Sequence, residues 1–311
     1  MTAASGGSIS DLAFRLASGA CSASLVVLRA TGGAGSPSAL LFVCRRPGGP
    51  PSAAWAAARG LGRLAFGRRP DGLMGLYRDQ GVVLRTIRLG EADRIVTFVT
   101  QGHGKVRAVA KGVRNTKSRF GARLEPLSHV SLLLYEGREL DIVTQADTLD
   151  HFRAIREDLH RVGRATSMLE AVDQVAQERE ASPRLYQMLV GALRALAAHD
   201  AELVAPAFFW KLLSLEGAHP VLNQCASCGA EEGLEAFDLG EGGALCRGCR
   251  RGGPVSPAAL ALLRRILGGD LAAVLAEPPG PATREVQQLA TRSLEHHLER
   301  RLRSLTVLDS A

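Results

Sequence analysis

The chain has 311 residues, room for two domains, and its net charge of +7 with a pI near 9.4 points toward a polyanionic partner. It offers no run of about 18 apolar residues, so no segment reads as a membrane-spanning helix. The charge is unevenly spread: residues 1–73 carry eight basic and two acidic side chains, 74–150 carry twelve and nine, and 151–311 carry eighteen and twenty.

Residues 1–73 are rich in Ala, Gly, Ser, Pro and Arg, contain no Lys and end in GRRPDG. Arg- and Ser-rich, acid-poor composition is shared with organellar transit peptides. The plainer reading is a disordered extension upstream of Met74, or a start assigned too early, that lacks a packed core, with a short strand or helix around Ala23–Arg29 or Ala39–Cys44 left open. Asp11 precedes every basic residue and Ser and Arg break the apolar runs, so a secretory signal is not expected.

From Gly81 the pattern becomes β. GVVLRTIRL leads through the turn-like GEAD into RIVTFVT, and GHGK turns the chain into VRAVAKGV. After a basic loop, HVSLLLYEGRELDIVTQAD reads as a second hairpin pivoting near Glu136–Arg138. Five short strands in about 65 residues, with one longer connection, suit a small closed barrel, and an OB-fold over residues 74–150 is expected.

From about His151 the period is helical. Leu159, Val162, Ala165, Met168, Leu169, Val172 and Val175 recur mostly at steps of three and four, stopping before Ser182–Pro183. RLYQMLVGALRALAAHD and APAFFWKLLSLEG follow as packed helices, with Trp210 expected in the core. In SPAALALLRRILGG, Ser256 is placed as N-cap and Pro257 at the first helical position, with Gly268–Gly269 closing the helix. A final amphipathic helix is expected over roughly Thr283–Ser304, with His296 and His297 exposed. The fold class is therefore α+β: a barrel, then a helical domain over residues 151–311 that carries a four-cysteine excursion at 225–249.

That excursion has the spacing C-x2-C-x17-C-x2-C, formed by Cys225, Cys228, Cys246 and Cys249. Each CxxC turn lets two sulfurs reach one ion, and a second pair about 15–20 residues on completes a tetrahedral set. Gly229 and Gly248 suit the tight turns, and Arg247 and Arg250 would favour nearby thiolates. No βαβ setting accompanies the cysteines, which argues against a thioredoxin-like pair, and a reducing cytoplasm favours metal over disulfides. Zinc is expected, with iron left open for a tetrathiolate site. A closed set of four thiolates leaves no vacancy for substrate, so the metal is read as structural.

No acidic residue lies between Arg94 and Leu124, a stretch that holds Lys105, Arg107, Lys111, Arg114, Lys117, Arg119 and Arg123. Lys105 and Arg107 alternate with Val106 and share one strand face. The rest falls mostly in the loop GVRNTKSRFGAR, where cations would track phosphates and Phe120, or an aromatic on the barrel, would stack a base. Contacts of that kind go to the backbone, so binding should be sequence-tolerant and salt-sensitive. GxxxxGK[ST], GxSxG, HExxH and KxDG are all absent, so no enzymatic activity is expected.

Together, the block GVVLRTIRLGEADRIVTFVTQGHGKVRAVAKGVR, the hairpin HVSLLLYEGRELDIVTQAD and helices interrupted by CASC…CRGC resemble the RecO family of bacterial DNA repair and recombination proteins, from about Met74 to Leu308. The resemblance implies an OB-fold, a helical domain and zinc on the four cysteines. It implies a cytoplasmic, nucleoid-associated, non-enzymatic protein of the RecF pathway that binds single- and double-stranded DNA and anneals complementary strands. It also implies partnership with RecR and with the acidic C-terminal tail of single-strand DNA-binding protein in loading RecA, the tail docking on the helical domain. The basic residues above match the family's basic strand-and-loop region; the first 73 residues have no counterpart there. The competing expectation is a zinc-stabilised interaction scaffold whose DNA contact is secondary.

Overall fold

The computed structural model describes residues 22–24, 43–45, 75–115, 118, 120–199 and 202–304. Two compact units are present, Met1–Gly72 and Leu73–Ala311. In the first, β1 (Ser22–Ser24) pairs antiparallel with β2 (Val43–Arg45). The expected elements there otherwise lie outside the described residues.

In the second unit, five strands close a barrel: β3 (Leu76–Leu89), β4 (Asp93–Thr100), β5 (Gly104–Ala110), β6 (His129–Tyr135) and β7 (Asp141–Asp150), in the order β3-β4-β5-β7-β6. Every pairing is antiparallel except the β5–β7 seam, where two residue pairs, Ala108 with Asp141 and Val109 with Ile142, run parallel. This is the OB-like barrel expected from the strand count. Strand β3 begins five residues before the expected start at Gly81. Its first half carries Arg78, Asp79 and Gln80, and Asp79 accepts from the Gly102 amide and pairs with His103 at 2.6 Å, tying down the β4–β5 turn.

The barrel interior is filled by Val83, Val96, Phe98, Val106, Ala108, Val130, Leu132, Leu134 and Val143. The alternation that buries these residues turns their neighbours outward. On β3 and β4 those neighbours are Val82, Leu84 and Val99, and they belong to the core of the helical domain. The barrel is thus docked by one of its own faces.

The helices are α1 (Arg153–Arg156), α2 (Leu159–Val175), α3 (Pro183–Ala198), α4 (Val204–Leu215), α5 (Pro257–Gly268), α6 (Leu271–Ala276) and α7 (Pro281–Leu298). The cap signals read correctly at α5: the Ser256 hydroxyl oxygen accepts from the Ala259 amide at 3.1 Å, and Gly269 closes the helix at φ 100°. The final helix stops six residues short of its expected end. Glu299 turns left-handed (φ 52°), Leu302 folds back into the core, and the Glu170 carboxylate accepts from the amides of Arg303 and Ser304. A carboxylate on α2 thus takes the donors that further helix would have satisfied. His296 and His297 are exposed as expected. Among the described residues no helix is long and apolar enough to cross a membrane.

Candidate metal centre and nucleic-acid interface

Strands β8 (Leu234–Asp238), β9 (Gly243–Cys246) and β10 (Gly253–Pro254) form a small sheet in the order β10-β8-β9. Its cysteines come from a turn before β8 and from the end of β9 with the 3₁₀ turn Arg247–Cys249. The four sulfurs all lie within 4.8 Å of one another, all as free thiols, with Cys228 and Cys246 3.7 Å apart. Four sulfurs about 2.3 Å from a tetrahedral centre are separated by about 3.8 Å, so the donor set fits a tetrathiolate ion. The backbone amide of Cys246, joined by those of Cys228 and Ser227, holds the Cys225 thiol down at about 6, while the surrounding thiols of Cys228 and Cys246 push Cys249 up to about 12. A cation bound among the sulfurs would favour their thiolate forms.

Gly229 takes the left-handed backbone of the knuckle (φ 79°), and its amide donates to the Cys225 carbonyl at 2.9 Å. Gly248 has no positive φ, so that turn does not depend on glycine. Arg247 and Arg250 were expected beside the thiolates; they pair instead with Glu235, at 3.3 and 3.5 Å. A carboxylate on the neighbouring strand is the stronger partner for a guanidinium. The excursion is anchored through Phe237, whose ring meets buried Trp210 of α4 edge-on at 5.8 Å.

The basic stretch divides in two. Lys105 and Arg107 share the outer face of β5, as alternation requires, but that face turns toward the helical domain. Lys105 donates to the Asp173 carbonyl at 2.7 Å and lies 3.7 Å from its carboxylate, to which Arg85 of β3 also binds at 2.7 Å. Arg107 lies 3.8 Å from Glu178. The segment carrying Glu178 lies along the edge of β5: Lys105 donates to the Gln177 carbonyl and Arg179 donates back to Lys105. Lys105 therefore serves first to seat the barrel on α2, and Arg107 reaches the segment that follows α2, roles that strand alternation alone does not reveal.

Lys111, Arg114 and Arg123 are exposed, and the Arg114 guanidinium donates to the Gly90 carbonyl at 3.3 Å, drawing the basic loop onto the β3–β4 turn. Lys117 and Arg119 lie outside the described residues. Phe120 corrects the expectation of an exposed stacking ring: it is 3% exposed and packs with Val113 and Leu124 in the barrel core. An apolar ring beside an open barrel end gains more from leaving water than from standing in it.

Sequence reasoning missed a buried polar knot at the seam. Asp141, fully buried, accepts from Tyr77, from the Gly137 amide at 3.0 Å and from Arg179 at 2.6 Å. Burial, then the bond to Asp141, pushes the Tyr77 hydroxyl well above the ordinary phenol range. Pairing of residues 38 positions apart leaves no local pattern to read.

Comparison with known proteins agrees with this architecture. The family model described as "Recombination protein O N terminal" matches residues 74–152, and "Recombination protein O C terminal" matches 156–306. The chain is 44% identical over 244 residues to the DNA repair protein RecO of Thermobifida fusca (strain YX), covering 76% of this chain and 100% of the relative. It is 46% identical over 244 residues to the DNA repair protein RecO of Nocardioides sp. (strain ATCC BAA-499 / JS614), covering 75% and 99%. A five-stranded barrel followed by helices around a four-cysteine cluster is thus the RecO architecture, and the chain belongs to the RecO family of DNA repair proteins.

Proposed function

We propose that the protein is a non-enzymatic mediator of recombinational DNA repair. It binds single- and double-stranded DNA, anneals complementary strands, and acts with RecR and single-strand DNA-binding protein to load RecA. The observation that carries this reading is the exposed loop bearing Lys111, Arg114 and Arg123, in a stretch with no acidic residue between Arg94 and Leu124. Cations there neutralise phosphates on two strands, which removes their mutual repulsion. Weak, sequence-tolerant contacts let the strands search register, and base pairing supplies the driving force. No nucleotide hydrolysis is needed.

Zinc is the metal assigned to the four thiolates, which fits their number and spacing. Bound there it supplies charge neutralisation and cross-linking of the two knuckles. The residues themselves hold the small sheet against Trp210, so the metal is a fold element rather than a reaction centre.

A groove of about 510 Å³ in the helical domain supports a partner role beside the DNA role. Leu262, Val274 and Leu275 give it apolar walls; Arg164 and Arg265 line it together with Glu202 and Glu277, and Arg265 pairs with Asp270 at 2.9 Å and with Glu277 at 2.7 Å. Its apolar walls suit the aromatic end of an acidic tail, such as that of single-strand DNA-binding protein, whose carboxylates would compete with Asp270 and Glu277 for Arg265. In the scaffold reading this groove is the main activity and DNA contact is incidental.

The deciding experiment is annealing of complementary oligonucleotides coated with cognate single-strand DNA-binding protein, by the full chain and without ATP. It is paired with salt-dependent DNA binding by a Lys111→Glu, Arg114→Glu, Lys117→Glu variant. We expect ATP-independent annealing, and a variant whose log K against log salt slope falls by up to about three. Unchanged DNA binding by the variant would transfer the function to the scaffold reading, and a strict ATP requirement would refute the mechanism.

A further inference from the structure

The four cysteine sulfurs share one centre but not one environment. Cys225 is 1% exposed and packs with Ala236 and Leu245, and its sulfur accepts from the backbone amides of Cys246, Cys228 and Ser227. Cys246 and Cys249 are half-buried, whereas Cys228 is exposed. The turn around Cys228 is open as well: Ser227, Gly229 and Ala230 are all exposed, and a Cβ at Gly229 would meet no atom within 4 Å. Cys246 is left uncovered on one side by Gly248. A Cβ at that position would lie 4.0 Å from the Cys246 sulfur, and the backbone there, with no positive φ, does not call for glycine.

A thiolate is the nucleophilic form of cysteine, and its reactivity follows access as well as charge. Burial and three amide donors shelter Cys225, so the open sulfur of the set is that of Cys228. It lies 3.7 Å from the Cys246 sulfur, on the other knuckle. A disulfide needs about 2.05 Å, so an approach of less than about 2 Å joins the two.

We propose that Cys228 and Cys246 form a peroxide-reactive modification site, whose oxidation to a disulfide unlocks the four-cysteine excursion. This rests on the zinc assignment above, and its chemistry is at sulfur. The Cys228 thiolate attacks one oxygen of hydrogen peroxide; the O–O bond breaks, hydroxide leaves, and the sulfur becomes a sulfenic acid. The Cys246 thiolate then attacks that sulfur, forming the S–S bond and expelling a second hydroxide. The two sulfurs together give up two electrons, peroxide accepts them, and both hydroxides take protons from solvent to become water. Cys225 and Cys249 are left as two donors where a tetrahedral ion needs four. One covalent bond thus replaces a four-point junction, and Phe237 loses its fixed place against Trp210. A dithiol restores the thiolates by exchange.

The test uses the full zinc-loaded chain with Cys21→Ser and Cys44→Ser, so that the four site thiols alone remain. Hydrogen peroxide should release one zinc per chain to a chromophoric chelator, well above the rate without peroxide, with a parallel shift in indole emission. Dithiothreitol with added zinc should reverse both signals. Glutamyl endopeptidase, which can cut after Glu231, Glu235 and Glu241, separates the two knuckles. Mass spectrometry of that digest should show Cys228 joined to Cys246, with Cys225 and Cys249 alkylated. Cys228→His keeps a fourth donor, because three thiolates and an imidazole also hold zinc, and should slow peroxide-driven release by about tenfold or more. A chain that takes up no zinc would overturn the zinc assignment and the proposal with it. Zinc retained against excess peroxide would overturn the proposal alone. So would a disulfide that includes Cys225, or a zinc-loaded Cys228→His variant that releases its metal at the unsubstituted rate, since the oxidant would then enter at another sulfur.

Discussion

Replacing Arg179 by alanine tests how barrel and helical domain are joined. The guanidinium donates to Asp141 at 2.6 Å and lies 3.7 Å from Glu136, and the Arg179 amide donates to the Lys105 carbonyl at 3.0 Å. Asp141 has no solvent exposure, so removing its cation leaves a buried carboxylate held by Tyr77 and the Gly137 amide alone. Breaking a fully buried pair costs about 3–5 kcal/mol. The Arg179 side chain is itself 44% exposed, and two donors to Asp141 survive. Discounting for that exposure leaves about 2–3 kcal/mol. For a unit of this size the corresponding fall in Tm is about 5–10 °C. Backbone strain gives an internal control. Arg179 sits at φ 58°, so Arg179→Gly should recover about 1 kcal/mol relative to Arg179→Ala while lacking the same charge. The assay is urea unfolding followed by circular dichroism at constant zinc, with Asp141→Asn completing a double-mutant cycle. An Arg179→Ala variant within about 0.5 kcal/mol of wild type, the range of a neutral surface change, would refute the argument that the seam depends on this knot.

Three further outcomes are expected. Cys246→Ser with Cys249→Ser, or treatment with a strong chelator, should abolish metal content by elemental analysis and shift Trp210 emission, because Phe237 loses its place against the indole; the barrel's β signal should persist. Ser256→Ala should cost about 1 kcal/mol in denaturant unfolding through loss of the α5 N-cap, with a further cost because the Glu285 carboxylate loses the Ser256 hydroxyl at 2.6 Å. His129 is buried against the Tyr186 hydroxyl at 2.7 Å, and burial, then the positive charge of Arg194, lowers its pKa. A base that resists protonation when folded takes up protons preferentially when unfolded. Its contribution is therefore complete above the unfolded value of about 6.5 and declines as pH falls below it. His129→Gln should flatten the stability profile below pH about 6.5, and a parallel profile would show that His129 is not the titrating group.

Elements with a local cause were legible in the chain. The five strands follow from alternation and turn residues, the α5 caps from Ser256, Pro257 and Gly269, and the metal cluster from two CxxC pairs at a fixed separation. Each is decided by neighbours within a few residues or by a spacing that chain geometry alone makes productive. The basic stretch was legible as composition but not as placement. Alternation put Lys105 and Arg107 on one face, yet Asp173 and Glu178, some seventy positions away, decided that this face should meet protein. Phe120 read as an exposed ring in a polar loop, and only closure of the barrel provided the interior that buries it. The end of α7 depended on Glu170 in the same way. Local propensity determines which elements form; which of their faces find partners is settled by contacts between distant segments, where burial and charge pairing act.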